Sequence, residues 1–133
     1  TGLVAHGIDE YATASLQFES GVVAQVATAV KVGLDNVAVV YGSKGSVKIH
    51  SPWGGNGREP GATKLTVIQG RDRTERTVSL DRGIYAREAD VFSAALDAGQ
   101  TECAAMTLDD TLGNMRALDA WREEIGLRYD FED

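Results

Sequence analysis

Cysteine is nearly absent from this chain of 133 residues: Cys103 stands alone. It can close no intramolecular disulfide, and with only His6 and His50 beside it there is no Cys/His cluster for a zinc site. A reducing, cytoplasmic setting is the expectation. Long apolar runs are missing as well. The longest, Val22 to Val30, is broken by Gln25 and Thr28, far short of the roughly 20 residues of a membrane span. The start, Thr1-Gly2-Leu3-Val4-Ala5-His6, lacks the basic opening and apolar centre of a signal peptide. Basic residues are in the minority, 13 Lys and Arg against 20 Asp and Glu. The resulting formal charge of -7 repels a nucleic-acid backbone at long range. No initiator Met precedes Thr1, so the expectation is a trimmed Met or a piece of a longer protein.

What is present, 43% hydrophobic and 25% charged residues, suits one soluble domain spanning residues 1–133, with a sizeable core of its own. The first eighty residues read as strands. From Asp9 to Phe18 the residues alternate, with Ala12, Ala14, Leu16 and Phe18 on one face and Tyr11, Thr13, Ser15 and Gln17 on the other. Glu19-Ser20-Gly21 then predicts a hairpin into Val22–Val30. Val37, Val39 and Tyr41 mark a third strand and Val47 and Ile49 a fourth, joined across Gly42-Ser43-Lys44-Gly45. Lys64–Gln69 and Glu75–Leu80 form a further pair around Gly70-Arg71-Asp72-Arg73.

Near Gly83 the period changes to that of a helix. Tyr85, Ala89, Phe92 and Leu96 make one apolar stripe, ended by Gly99. Leu108, Leu112, Met115, Leu118, Trp121 and Ile125 make a second, opened by Thr107 as N-cap with Asp109 and Asp110 in its first turn and ended by Gly126. Both stripes read as core. The predicted architecture is therefore α+β, an open and mostly antiparallel sheet of about six strands with two C-terminal helices packed on one face. Two helices leave the opposite face uncovered, and its residues Tyr11, Thr13, Ser15 and Gln17 suit an interface better than open water.

Few residues point to chemistry. Gly42-Ser43-Lys44-Gly45-Ser46 lacks the phosphate-loop spacing and precedes a strand, so it reads as a hairpin turn. Gly54-Gly55-Asn56-Gly57 reads as a flexible loop, with no strand-to-helix turn around it. No serine lies in a GxSxG elbow. The adjacent carboxylates Asp9-Glu10, Asp109-Asp110 and Glu123-Glu124 point apart on a strand or helix. A small self-contained enzyme would have to draw its acid and base from Asp9, Glu10 and His50, whose strand contexts do not converge. Trp53 differs, because an aromatic in a Gly- and Pro-rich loop at a strand end adds little to a core while such loops contact ligands. Tyr85 and Arg87, at the entry to the first helix, are candidates to meet it there.

Gly7-Ile8-Asp9-Glu10-Tyr11-Ala12, Leu16-Gln17-Phe18-Glu19-Ser20-Gly21, Tyr41-Gly42-Ser43-Lys44-Gly45 and Ser51-Pro52-Trp53 occur in an order that resembles the C-terminal domain of the Gfo/Idh/MocA oxidoreductases. Glu88-Ala89-Asp90-Val91, Asp109-Asp110-Thr111-Leu112, Leu118-Asp119-Ala120-Trp121-Arg122 and Ile125-Gly126-Leu127-Arg128-Tyr129 are similar to the closing helices of its dihydrodiol dehydrogenase and sugar dehydrogenase branch. The resemblance implies a substrate-side and oligomerisation domain whose partner is its own N-terminal Rossmann domain. That partner binds the NAD or NADP of the intact enzyme and carries the Glu-Lys-Pro lysine and the acid/base residue, for which this chain has no counterpart.

On that reading the chain holds no catalytic, cofactor or metal residue of its own and is inactive alone. Trp53 is expected to wall the substrate pocket, with Tyr85 and Arg87 orienting hydroxyls of a sugar or cyclic polyol. The open sheet face is expected to form a homo-oligomer, with neither nucleic acid nor membrane as partner. The competing expectation is a free-standing, non-catalytic module that dimerises or binds a partner through the same face.

Overall fold

The computed structural model describes residues 1–53 and 60–129. Its elements are β1 (Gly2–Ala5), β2 (Ile8–Gln17), β3 (Val23–Ala29), β4 (Val37–Gly42), β5 (Gly45–His50), β6 (Ala62–Gln69), β7 (Asp72–Ser79), α1 (Ile84–Asp97) and α2 (Leu108–Ile125). The chain is α+β with every strand pair antiparallel. The single sheet expected from the sequence is two sheets, β1-β2-β3 and β4-β5-β6-β7. They belong to two compact units, Thr1–Leu34 with Met106–Asp133, and Asp35–Ala105.

In the first unit, β1 went unread in the sequence because it is only four residues long. Its turn is nevertheless encoded: His6 and Gly7, the two residues between paired Ala5 and Ile8, take φ of 56° and 73°. Positive φ at both loop positions is what a type I′ hairpin requires, and His is among the residues that tolerate it. The predicted hairpin between β2 and β3 is present, with Gly21 at φ 84°. Exposure along β2 alternates as period 2 demands, with Ala12 and Glu10 buried and Tyr11, Thr13, Ser15 and Gln17 exposed. The face toward α2 is built from small residues, and Gly2 pairs with Ala12 and Ala12 with Thr28. A Cβ on Gly2 would lie 3.2 Å from Ile125 Cγ2, so glycine there lets α2 approach the sheet.

In the second unit, tight turns connect β4 to β5 and β6 to β7, as the glycines predict. Gly42 pairs with Gly45 across Ser43-Lys44, and Gln69 with Asp72 across Gly70-Arg71. Gly45 is obligatory, since a Cβ there would sit 2.1 Å from the backbone oxygen of Ile68 on β6. Residues 54–59, most of the loop after Trp53, lie outside the described residues.

Both helices stop as their sequences predict. Gly99 and Gly126 are left-handed, and the next residue donates back across the last turn, Gln100 N–H to Ala95 and Leu127 N–H to Arg122. This is the Schellman arrangement, which satisfies carbonyls that the helix leaves open. Thr107 caps α2 in a reciprocal box with Asp110.

The expectation that both helix stripes are core is corrected. Tyr85, Phe92 and Leu96 are exposed on α1, where only Ala95 is buried, and α2 has no buried residue: Leu108 is 64% exposed and Leu118 45%. The sizeable core is likewise missing. Among the described residues the buried hydrophobics are Ala12, Ala95 and Leu127, and no large side chain is fully buried. The physical reason in the first unit is the alanine- and glycine-rich sheet face beneath α2. It permits close backbone approach but contributes little apolar area per residue.

Candidate functional site

The three residues expected at a substrate pocket all lie in the second unit, but no contact among the described residues joins them. Trp53 is 72% exposed. It follows Ser51, whose φ of 54° is left-handed without glycine and turns the chain out of β5. Tyr85 is 62% exposed in the first turn of α1. Arg87 Nη1 donates to Asp81 Oδ1 at 3.0 Å, just as Arg82 pairs with Asp90. Arg87 thus braces the entry to α1, and neither it nor Tyr85 lines a described cavity.

The four expected interface residues share one face of β2. Their cross-strand partners are Ala29 for Tyr11, Ala27 for Thr13, Gln25 for Ser15 and Val23 for Gln17. Thr13, Ser15, Gln25 and Ala27 border a shallow groove of about 530 Å³. The side chains of β2 and β3 on this face are weakly polar and uncharged, and Val23 at its end is 67% exposed.

A cavity of about 280 Å³ lies under the C-terminal half of α2, a position sequence reasoning missed. Asp9, Ala12 and Thr28 line it from the sheet, and Asp119, Trp121, Arg122, Leu127 and Tyr129 from the helix side. Asp9 reaches this face because the β1–β2 register slips. Leu3 pairs with Tyr11 but Val4 with Asp9, leaving Glu10 as an extra residue, and a bulge of that kind re-aims neighbouring side chains. Arg122 anchors the helix wall. Its Nη2 lies 3.4 Å from Asp119 Oδ1, one helical turn away, and its guanidinium carbon stands 5.1 Å from the centre of the Tyr129 ring, within range of cation–π attraction. The indole Nε1 of Trp121 is buried with no acceptor among the described residues. Two carboxylates, one guanidinium and two aromatic rings can hydrogen-bond hydroxyls and pack against C–H surface. The spacing of Asp119 and Arg122 was the readable signal, but only the bulge shows that Asp9 faces them.

The pair formed by Glu10 with Lys31 is structural. Lys31 Nζ donates to the buried Glu10 at 2.7 Å. Among the described residues no three His, Cys, Asp or Glu side chains gather as a metal ion would need, and no helix is long and apolar enough to cross a membrane. No family model, curated protein or solved structure matches the chain.

Proposed function

We propose that this chain is the C-terminal, substrate-side and oligomerisation domain of a cytoplasmic NAD(P)-dependent oxidoreductase of the Gfo/Idh/MocA type, acting on a sugar or cyclic polyol. The observation that supports this reading best is the imbalance between exposed and buried apolar surface. The chain displays Tyr11 and Val23 on the outer sheet face and Leu108 to Leu118 on α2 while burying no large side chain among the described residues. A surface of this kind is used when a second protein surface covers it. On this reading a second copy covers the β2 face through Tyr11, Thr13, Ser15 and Gln17. The chain's own Rossmann domain supplies the nicotinamide and proton relay.

The cavity below α2 suits the substrate class. Asp9 accepts from hydroxyls, Arg122 donates to them, and Trp121 and Tyr129 face the ring carbons. Hydride transfer requires a nicotinamide aligned on the carbon that changes oxidation state, together with a group that takes or gives the hydroxyl proton. The present chain contributes walls and hydroxyl contacts to that geometry, and by itself turns over nothing.

The deciding experiment reads the gene upstream of Thr1 and assays the protein made from the complete frame with NAD and NADP against a panel of sugars and cyclic polyols. A glycine-rich βαβ unit in frame and cofactor reduction with one of these substrates are expected. A stop codon directly before Thr1 would overturn the reading in favour of a free-standing module that uses the same sheet face.

A further inference from the structure

The acid excess of the chain is unevenly placed. Residues 35–105 hold as many Lys and Arg as Asp and Glu, so the formal charge of -7 comes entirely from the rest. Within the four-stranded sheet the register then concentrates cations on one face. His50 pairs with Lys64, and Lys48 with Thr66, so these four side chains project from the same side of β5 and β6, with paired Cβ atoms about 5 Å apart. Thr66 is 2% exposed, and its Oγ1 lies 3.1 Å from His50 Nε2. That contact fixes the imidazole and leaves Nδ1 as its second hydrogen-bonding atom.

A carboxylate on this face is already engaged. Glu75 pairs with Thr66 from β7 and accepts from Arg73 at 3.0 Å. That hydrogen bond, with the charges of Lys64 and Arg73 behind it, holds the Glu75 carboxyl below its ordinary range. Lys48 and Lys64 enter none of the ion pairs among the described residues. Lys64 shares Glu75 with Arg73, so two ammonium groups beside an imidazole on neighbouring strands are only partly offset, and an anion placed between them lowers the remaining repulsion.

We propose that this face of β5 and β6 binds a phosphate monoester, with Lys48, Lys64 and His50 on its oxygens and Thr66 positioning His50. A tetrahedral dianion offers three acceptors to three donors spread over two strands, which a planar carboxylate does not. Tyr41, 81% exposed, pairs with Ser46 on the same face one step along and is placed to pack against the organic part of the ester. The proposal does not rest on the oxidoreductase reading, because it uses none of the residues described as lining the cavity under α2.

Calorimetric titration of the protein with inorganic phosphate at constant ionic strength tests it. Saturable one-site binding is expected, weakened about two- to five-fold by Lys48→Gln or Lys64→Gln, the range of a partly exposed charge contact. Lys44→Gln, which removes the same charge from the β4–β5 hairpin tip, should leave it unchanged. A hexose 6-phosphate should bind at least as well as phosphate, whereas the unphosphorylated hexose and acetate should not compete. Absence of saturable phosphate binding, equal losses in all three variants, or competition by acetate as strong as by phosphate would each overturn the proposal. Far-UV circular dichroism of each variant establishes that the fold is kept.

Discussion

Glu10 holds Lys31 twice. Its buried carboxylate takes the ammonium at 2.7 Å, and its backbone oxygen accepts the N–H groups of Val30 and Lys31 at 3.0 and 3.3 Å. The extra residue that displaces the β1–β2 register thus also terminates the β2–β3 ladder. Lys31→Met is expected to cost about 1 kcal/mol, discounted for the exposed lysine, because the carboxylate then stays buried without its partner. Glu10→Gln should cost less, since the freed ammonium is solvated. Urea unfolding midpoints of the two variants decide the order, and a larger loss for Glu10→Gln would show that the carboxylate does not depend on Lys31.

The backbone of Gly45 lies directly against the Ile68 carbonyl of the neighbouring strand. Gly45→Ala places a Cβ 2.1 Å from the Ile68 carbonyl oxygen, which only separation of β5 from β6 relieves. Loss of amide-exchange protection throughout β5 and β6 is the expected result, with a cost of several kcal/mol. Alanine at Gly70, with open space around its Cβ position but φ of 61°, should cost only about 1 kcal/mol. Comparable losses at both glycines would refute the steric account.

The cap of α2 makes stability depend on acid. The Thr107 hydroxyl, followed by the Thr107 backbone N–H, holds the Asp110 carboxyl below its ordinary value. A depressed folded value means that the contribution is complete above the unfolded value of about 3.9 and is lost as pH falls through the folded one. Amides in the first turn of α2 should therefore lose protection, measured against their intrinsic exchange rates, as the solution is acidified below about pH 4, and Asp110→Asn should remove that step. Thr107→Ala should cost about 1 kcal/mol at neutral pH.

Trp53 is expected to be dispensable for folding. Trp53→Ala should leave the unfolding midpoint within about 0.5 kcal/mol of the parent, while removing the component of tryptophan fluorescence that acrylamide reaches. Trp121, partly enclosed beside the cavity, should supply the remaining, less quenched emission. A large loss of stability would place Trp53 in a packed role.

Local chemistry was the legible layer. Gly21, the Gly42–Gly45 turn, the Thr107 cap and the C-terminal glycines Gly99 and Gly126 each act through the conformation of a few neighbouring residues. The alternation of Tyr11 to Gln17 was equally plain, because period 2 is a property of the strand alone. The cavity was less so. Asp119 and Arg122 are neighbours by helical spacing, but Asp9 joins them only through a one-residue slip of register that no periodicity shows. The phosphate-site residues were similarly scattered: Lys48 and His50 alternate on β5, while Lys64 and Thr66 meet them only by strand pairing.

The sequence by itself determined the α+β class, the antiparallel hairpins, the helix ends and the acidic balance. All of these follow from φ preferences, capping groups and side-chain charge acting within a few residues. Tertiary structure alone decided that the strands divide into two sheets, that Glu10 is buried against Lys31, and that the apolar helix stripes remain largely exposed. Periodicity says which side chains share a face of an element. Whether that face is covered depends on the size of the residues opposite it, and here Gly2, Ala12 and Thr28 allow close approach of α2 while contributing little surface to a core.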